Sequence, residues 1–370
     1  MPTYTNQAPA QMAFAHTVHA AAFIAVAIAS LVLPATVAMS APPIEAQRAC
    51  YGQSDGEACH FHSPRGQVTG ACRQVQARLA CVPDRVRRQQ QQQPEGGRGA
   101  RQHTAVQAKD LHLFPADSQP PGKNQVTIEI IGDYRVIRSN GIPDHKVGNF
   151  PNQGNPHAIQ SVNKRWSVPA RPKLRGRVTE LDLGPFGVAR NGIAFDPGAA
   201  EWHKGQRNSK WRYEALAGAV PLGVDANHAH VQPDGSYHYH GLPTGLLEAL
   251  GVRAGEHSPL VGWAGDGFPI YARYGYSDPD NPDSPIVELY SGYNLKNGQR
   301  PGGDDPGGRF DGAFVADYEY TGGDLDECNG RETVTPEFPH GSYAYFLTAD
   351  WPVIPRCFKG TPGAGFGRPR

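Results

Sequence analysis

The stretch Asp225–Gly241, DANHAHVQPDGSYHYHG, constrains this chain more than any other: it holds four of the fifteen histidines, at 228, 230, 238 and 240. Side chains two apart on a strand share a face, so His228 with His230, and His238 with His240, form two same-face pairs. Between them, Gln232-Pro233-Asp234-Gly235 carries turn chemistry. Proline presets φ for the first central position of a type I turn and Asp suits the second. Glycine takes the left-handed conformation that closes a three-residue loop with a bulge. That loop fixes the register: Gln232 faces Ser236, Val231 faces Tyr237, His230 faces His238, and His228 faces His240. Opposed Cβ atoms lie about 4.5–5.5 Å apart, so four imidazoles crowd one patch, with Val231, Tyr237 and Tyr239 on the other face. A one-residue slip would scatter them.

Imidazole is the commonest side-chain metal ligand, and metal–nitrogen bonds of about 2.0–2.1 Å need rings that converge. The bland alternative is an aromatic–imidazole ladder that stiffens a hairpin and binds nothing. Four histidines on a turn-specified hairpin favour metal, with His228, His230, His238 and His240 as the main candidates and Asp225 and His145 as further ones. His157 lies in the same proline-rich segment as His145, within reach of the cluster. Asp266 stands between Gly265 and Gly267, which permit close backbone approach, and is the candidate catalytic carboxylate; a turn-stabilising role is its alternative. An all-imidazole site suits copper or zinc over magnesium or calcium. Calcium is disfavoured elsewhere too: Asp278, Asp280 and Asp283 offer oxygen ligands but lack EF-hand spacing.

Lys+Arg and Asp+Glu are 35 each, a balance that points to no nucleic-acid or acidic-polymer partner. Residues 20–33 are an apolar run followed by small residues and Pro42-Pro43, which reads as a signal peptide over 1–41 despite the missing basic n-region. An uncleaved anchor is the alternative, and no other stretch is apolar enough to span a membrane. Secretion or a periplasmic location follows. Six cysteines suit that oxidising compartment. Cys50, Cys59, Cys72 and Cys81 are expected to pair among themselves in a module over 48–84, with three connectivities open. Cys328 with Cys357 would close a loop of about thirty residues, contributing roughly 3–4 kcal/mol on a chain-entropy account.

Residues 85–122 are rich in Gln, Arg and Gly with little apolar content, a linker composition, and 361–370 reads as a disordered tail. Between them, 123–360 form the main domain. Gly at 44 and Pro at 34 favour turns and short strands. The expected fold is mainly β: a sandwich-like antiparallel domain with long ordered loops, plus the small disulfide-rich N-terminal module. Strands are predicted at Val126–Ile130, Gly176–Leu183 and Val188–Phe195, a short helix at 244–250, and an ordered loop over 140–160. Asp225 and Gly-Ser-Tyr-His-Tyr (235–239) recur as Asp326 and Gly-Ser-Tyr-Ala-Tyr (341–345), which suits a duplicated strand pair with one active half.

At these residues the chain resembles the bacterial YHYH domain family, through Tyr237-His238-Tyr239-His240, NGIPDHKVGNFPNQGNP, DANHAHVQPDGSYHYHGLP, GWAGDGFPIY, DECNGR and TPEFPHGSYAYFLT. The resemblance spans about 125–360, and the N-terminal module resembles small four-cysteine modules of exported bacterial proteins. It implies an exported protein and names no reaction. Three functions stay open: a metal-dependent enzyme with a cleft lined by the 140–160 and 262–274 loops, a metal carrier, or a structural cell-surface module without metal. The partner would be a small-molecule or cell-envelope ligand.

Overall fold

The computed structural model describes residues 44–63, 66–75, 78–83 and 105–366. The expected signal peptide and residues 84–104 lie outside them. The chain divides into two units, Met1–Gly96 and Gly97–Arg370. In the first, the short helix α1 (Ile44–Arg48) precedes an antiparallel meander of β1 (Ala58–Ser63), β2 (Gly66–Val75) and β3 (Arg78–Pro83). Cys50 pairs with Cys72 and Cys59 with Cys81. Its core is little more than those cysteines with Ala46 and Ala80, so the disulfides replace the burial that so small a body cannot supply.

In the second unit, β4 (Val126–Ile131), β5 (Tyr134–Ser139) and β6 (Lys164–Pro169) form an antiparallel sheet. Three two-stranded ribbons stand apart: β10 (Gly198–Trp202) with β11 (Arg212–Glu214), β16 (Tyr274–Tyr276) with β17 (Ile286–Glu288), and β18 (Tyr293–Leu295) with β19 (Tyr318–Tyr320). The strand expected over 176–183 shrinks to β7 (Thr179–Glu180), paired with β22 (Cys357–Phe358), which the Cys328–Cys357 disulfide anchors. The helix α2 spans Thr244–Ala249, as predicted.

The remaining strands build one eight-stranded sheet. The strand expected over 188–195 is instead a hairpin of β8 (Gly187–Ala189) and β9 (Ala194–Phe195), because Asn191-Gly192 turns it, with Gly192 at φ +78°. A matching hairpin, β14 (Gly262–Ala264) and β15 (Pro269–Ala272), turns at Asp266-Gly267. The two meet across β8 and β14, where Val188 faces Trp263, Gly187 faces Ala264 and Ala189 faces Gly262. Outside each lies a second hairpin joined in parallel: β12 (Ala229–Val231) and β13 (Tyr237–Tyr239) beside β9, and β20 (Gly330–Thr335) and β21 (Phe338–Leu347) beside β15. The order β12-β13-β9-β8-β14-β15-β21-β20 therefore has the same plan from either end. Registers match as well: Tyr239 faces Phe195 as Tyr345 faces Ile270, and His230 faces His238 as Arg331 faces Ala344. The short sequence echo marks a duplication of the whole half-sheet.

The fold is mainly β, and Ile137 and Val168 of the smaller sheet share one core with Val188, Phe195, Val231, Tyr237 and Tyr239 of the larger. Loop 140–160 has no strand and docks on the first hairpin: Asn155 Nδ2 donates to the Val231 carbonyl (2.9 Å) and Gln160 N to that of Gly235 (2.9 Å). Two compositional expectations are corrected. Residues 105–122, read as linker, lie along the domain through backbone bonds, Lys109 N to Ala217 O and Phe114 N to Val224 O. Hydrogen bonding holds them, with Ala108 packed against the cluster of Trp211, Tyr213 and Phe314. Likewise 361–366 is not a loose tail, since Phe366 is buried in the core.

Candidate metal centre

The hairpin adopts the predicted register. Gln232 N donates to Ser236 O (2.9 Å), Gly235 N to Gln232 O (2.9 Å), and His230 faces His238. Gly235 takes φ +87°, and Asp234 accepts from Ser236 N (3.0 Å) and Oγ (2.6 Å), so the turn residues perform the roles their chemistry suggests. Tyr237 and Tyr239 enter the core while His230, His238 and His240 share the opposite face.

Those three rings converge. His240 Nε2 lies 3.0 Å from His238 Nε2 and 3.0 Å from His230 Nε2. His230 Nδ1 donates to the Leu222 carbonyl (2.8 Å). Among the described residues, the buried Nδ1 atoms of His238 and His240 have no hydrogen-bond partner. A carbonyl only accepts, so on His230 Nδ1 carries the ring proton and Nε2 presents a lone pair. Burial disfavours the imidazolium: it pushes the pKa of His230 down to about 4, helped by the charge of His157, and those of His238 and His240 well below the ordinary value. All three are neutral at pH 7. Lone pairs meeting at 3.0 Å repel unless something electropositive sits among them. A tetrahedral ion with bonds of about 2.0–2.1 Å sets its ligands about 3.3 Å apart, so a few tenths of an ångström of spreading fits one. The Leu222 carbonyl behind His230 is the usual outer support of a metal-bound imidazole. The three form a group able to hold a metal ion.

A family model described as YHYH protein matches residues 165–360, more than half of the 370 residues. The chain belongs to the YHYH protein family. No curated protein and no solved structure gave a match.

The other sequence candidates in this YHYH protein stand elsewhere. His228 keeps its backbone place, its carbonyl accepting from His240 N (2.7 Å), but φ is +52° and its ring turns away to donate from Nδ1 to Leu242 O (2.9 Å). A tight turn capped by Asp225 forces this: His228 N donates to Asp225 O, and Asn227 N and Ala229 N donate to Oδ1. Asp225 itself is fully buried on the tyrosine face, where Oδ2 accepts from Tyr237 Oη (2.7 Å) and Gly148 N (2.8 Å). His145 also serves that face, Nδ1 donating to Lys146 O and Nε2 accepting from Tyr239 Oη (2.7 Å). Asp266 lies in the other half of the sheet. It accepts from Tyr345 Oη (2.6 Å) and Gly360 N (2.8 Å), and burial raises its pKa. Its internal counterpart, Asn191, likewise holds Tyr239 Oη (2.9 Å). Both are turn residues that anchor a tyrosine, the alternative weighed for Asp266 from sequence.

One contributor went unread. Gln232 sits two residues beyond His230 and places its amide 3.4 Å from His238 Nε2; the same period of two that picked out the histidines was its signal. Of the two histidines of the 140–160 loop that the sequence placed within reach of the cluster, His157 acts electrostatically on His230, whereas His145 serves the tyrosine face.

Proposed function

We propose that this YHYH protein is an exported metal-binding protein whose His230, His238 and His240 hold one copper or zinc ion, with a fourth position beside the Gln232 amide. The observation carrying the reading is the approach of the three Nε2 atoms, with His240 at 3.0 Å from both others, on rings that burial keeps neutral. Neutral nitrogen donors without carboxylate or thiolate suit those ions. Export is supported by three disulfides and by the N-terminal apolar run.

Three protein ligands with an open position is the arrangement of catalytic rather than closed structural sites. A cleft lined by His238 and Gln232 adjoins it, which favours an enzyme over a carrier. That cleft takes residues from 141, 164–166 and 183–185 rather than the 262–274 loop, so Asp266 is not its base. A bound zinc would supply an activated water, and copper an oxygen-reactive centre. The protein's own part is to keep the three rings unprotonated and aimed, and to present Gln232 at the open side. Calorimetric titration of metal-stripped protein with zinc or copper should give one tight equivalent. His230→Ala should weaken it at least a hundredfold; unchanged affinity in that variant would discard the reading.

A further inference from the structure

At one end of the sheet β4-β5-β6 the first hairpin turns on Gly132-Asp133, with Gly132 at φ +59°. Its flanks are apolar and open to solvent: Ile130 is 58% exposed, Ile131 49% and Tyr134 51%. Tyr134 faces Pro169 of β6, and Ala170 N donates to the Asp133 carbonyl (2.8 Å), so the segment after β6 leaves beside this tip. That segment, Arg171-Pro172-Lys173-Leu174-Arg175-Gly176-Arg177, carries four cations around a Leu174 that is 44% exposed. We propose that the tip is a membrane-docking surface: it dips into an anionic phospholipid bilayer while the cations hold the headgroups. The surface is independent of the metal centre.

Exposed apolar groups rimmed by charge mark interaction sites, and here shape and charge select the partner. Ile131 pairs with Tyr134 and Ile130 with Arg135, and adjacent residues of a strand point to opposite faces. One flat protein surface cannot cover both isoleucines, whereas a fluid interface surrounds a protruding tip. Tyr134 adds a ring with one polar end, suited to headgroup depth. The basic charge is unpaired: Arg171, Lys173, Arg175 and Arg177 form no ion pair among the described residues. Glu129 of β4 is taken by Arg138 (2.9 Å), which leaves Asp133 as the one acid of the turn. Basic groups beside an apolar anchor are the usual pairing for anionic lipid, because their stems lie along the apolar surface while the heads reach outward. A second group of exposed apolar side chains, Val287, Tyr290, Leu295 and Tyr320, sits beside Glu319 and Asp324, acids that such a bilayer repels.

All six cysteines are in disulfides, so one added thiol can carry a polarity-sensitive fluorophore. Ile131→Cys reports the tip and Tyr290→Cys the second apolar group. Each labelled full-length protein is titrated with vesicles of phosphatidylcholine alone, or mixed two to one with phosphatidylglycerol. The label at 131 should shift to the blue on the mixed vesicles at about a tenth of the lipid needed on the neutral ones or less, and about 1 M salt should reverse the shift. The label at 290 should not respond. Replacing Arg171, Lys173, Arg175 and Arg177 together by Gln should raise the lipid needed for half the shift at least about tenfold. The apolar run at 20–33 is common to every sample, so a difference between 131 and 290 belongs to the tip. If the Gln variant misfolds, that difference decides by itself. No shift at 131, equal shifts at the two positions, or an unchanged titration in a folded Gln variant overturns the proposal. So does a shift at 131 that grows with protein concentration in the absence of lipid, which would put a second copy of the chain on the tip.

Discussion

The two halves of the eight-stranded sheet share a scaffold and differ in one patch. In the first, Tyr237 donates to Asp225 and Tyr239 is held by Asn191; in the second, Tyr343 donates to Asp326 and Tyr345 to Asp266. The turn before each outer hairpin is also the same. His228 at φ +52° has its counterpart in Asn329 at φ +54°, and each donates its N–H to the carbonyl of the Asp three residues earlier. On the opposite face the halves part company. Where the first has His230, His238 and His240, the second has Arg331, Ala344 and Phe346, with the guanidinium 5.7 Å from the phenyl centroid and bonded to the Tyr276 carbonyl. A hairpin of this plan therefore folds without histidines. The tyrosine nodes build the scaffold in both halves, and the imidazoles are an addition to one.

The largest expected break in the comparison is at its shared nodes. Asp225 is fully buried and its carboxylate accepts from five donor groups on four residues, so Asp225→Ala should destabilise the metal-stripped protein by about 3–5 kcal/mol. Asp326 is partly exposed and pairs with Lys359, and its alanine variant should cost less. Denaturant unfolding measures both; a loss under about 1 kcal/mol at Asp225 would show that it is no scaffold node.

Next comes pH, which should act more strongly on the histidine half, where burial lowers the pKa of three imidazoles, against His257 beside the other half. An unfolded imidazole titrates near 6.5, whereas folded His230 titrates at about 4 because burial lowers it. Between those values the unfolded chain binds more protons, so metal-stripped protein loses stability as pH falls from about 6.5 toward 4. His238 and His240 shift in the same direction. Thermal unfolding at pH 7.5 and 4.5 should show this, and the triple His→Gln variant at 230, 238 and 240 should flatten the profile; an equally steep profile would place the titrating groups elsewhere.

Smaller effects sharpen the symmetry. Tyr237→Phe and Tyr343→Phe should each cost about 1–2 kcal/mol, with metal uptake intact in both. His228→Asn copies the second half, and Asn adopts the left-handed region readily. Stability should stay within about 0.5 kcal/mol and metal stoichiometry should not change; loss of metal there would return His228 to the ligand set.

How far the sequence carried these conclusions follows from what each residue depends on. Pro233, Asp234 and Gly235 act locally, so the hairpin and three of its histidines were legible. His228 was misplaced because period-two alternation assumes extended backbone, and the Asp225 cap breaks that at one residue. The parallel joins of β13 to β9 and β15 to β21 depend on distant pairing that no local pattern encodes. Asp225, His145 and Asp266 were chosen for residue type, but type does not tell which face of a sheet a side chain serves. The echo at 341–345 was the thin visible edge of the duplication, because the halves share hydrogen-bond geometry more than sequence.

The central claim, that the imidazole patch exists to hold an ion, is met most directly by elemental analysis of the wild-type protein beside His238→Ala/His240→Ala. The account expects close to one copper or zinc per chain in the first and almost none in the second, with both folded by circular dichroism. Equal metal content in the two, or none in either, would contradict it.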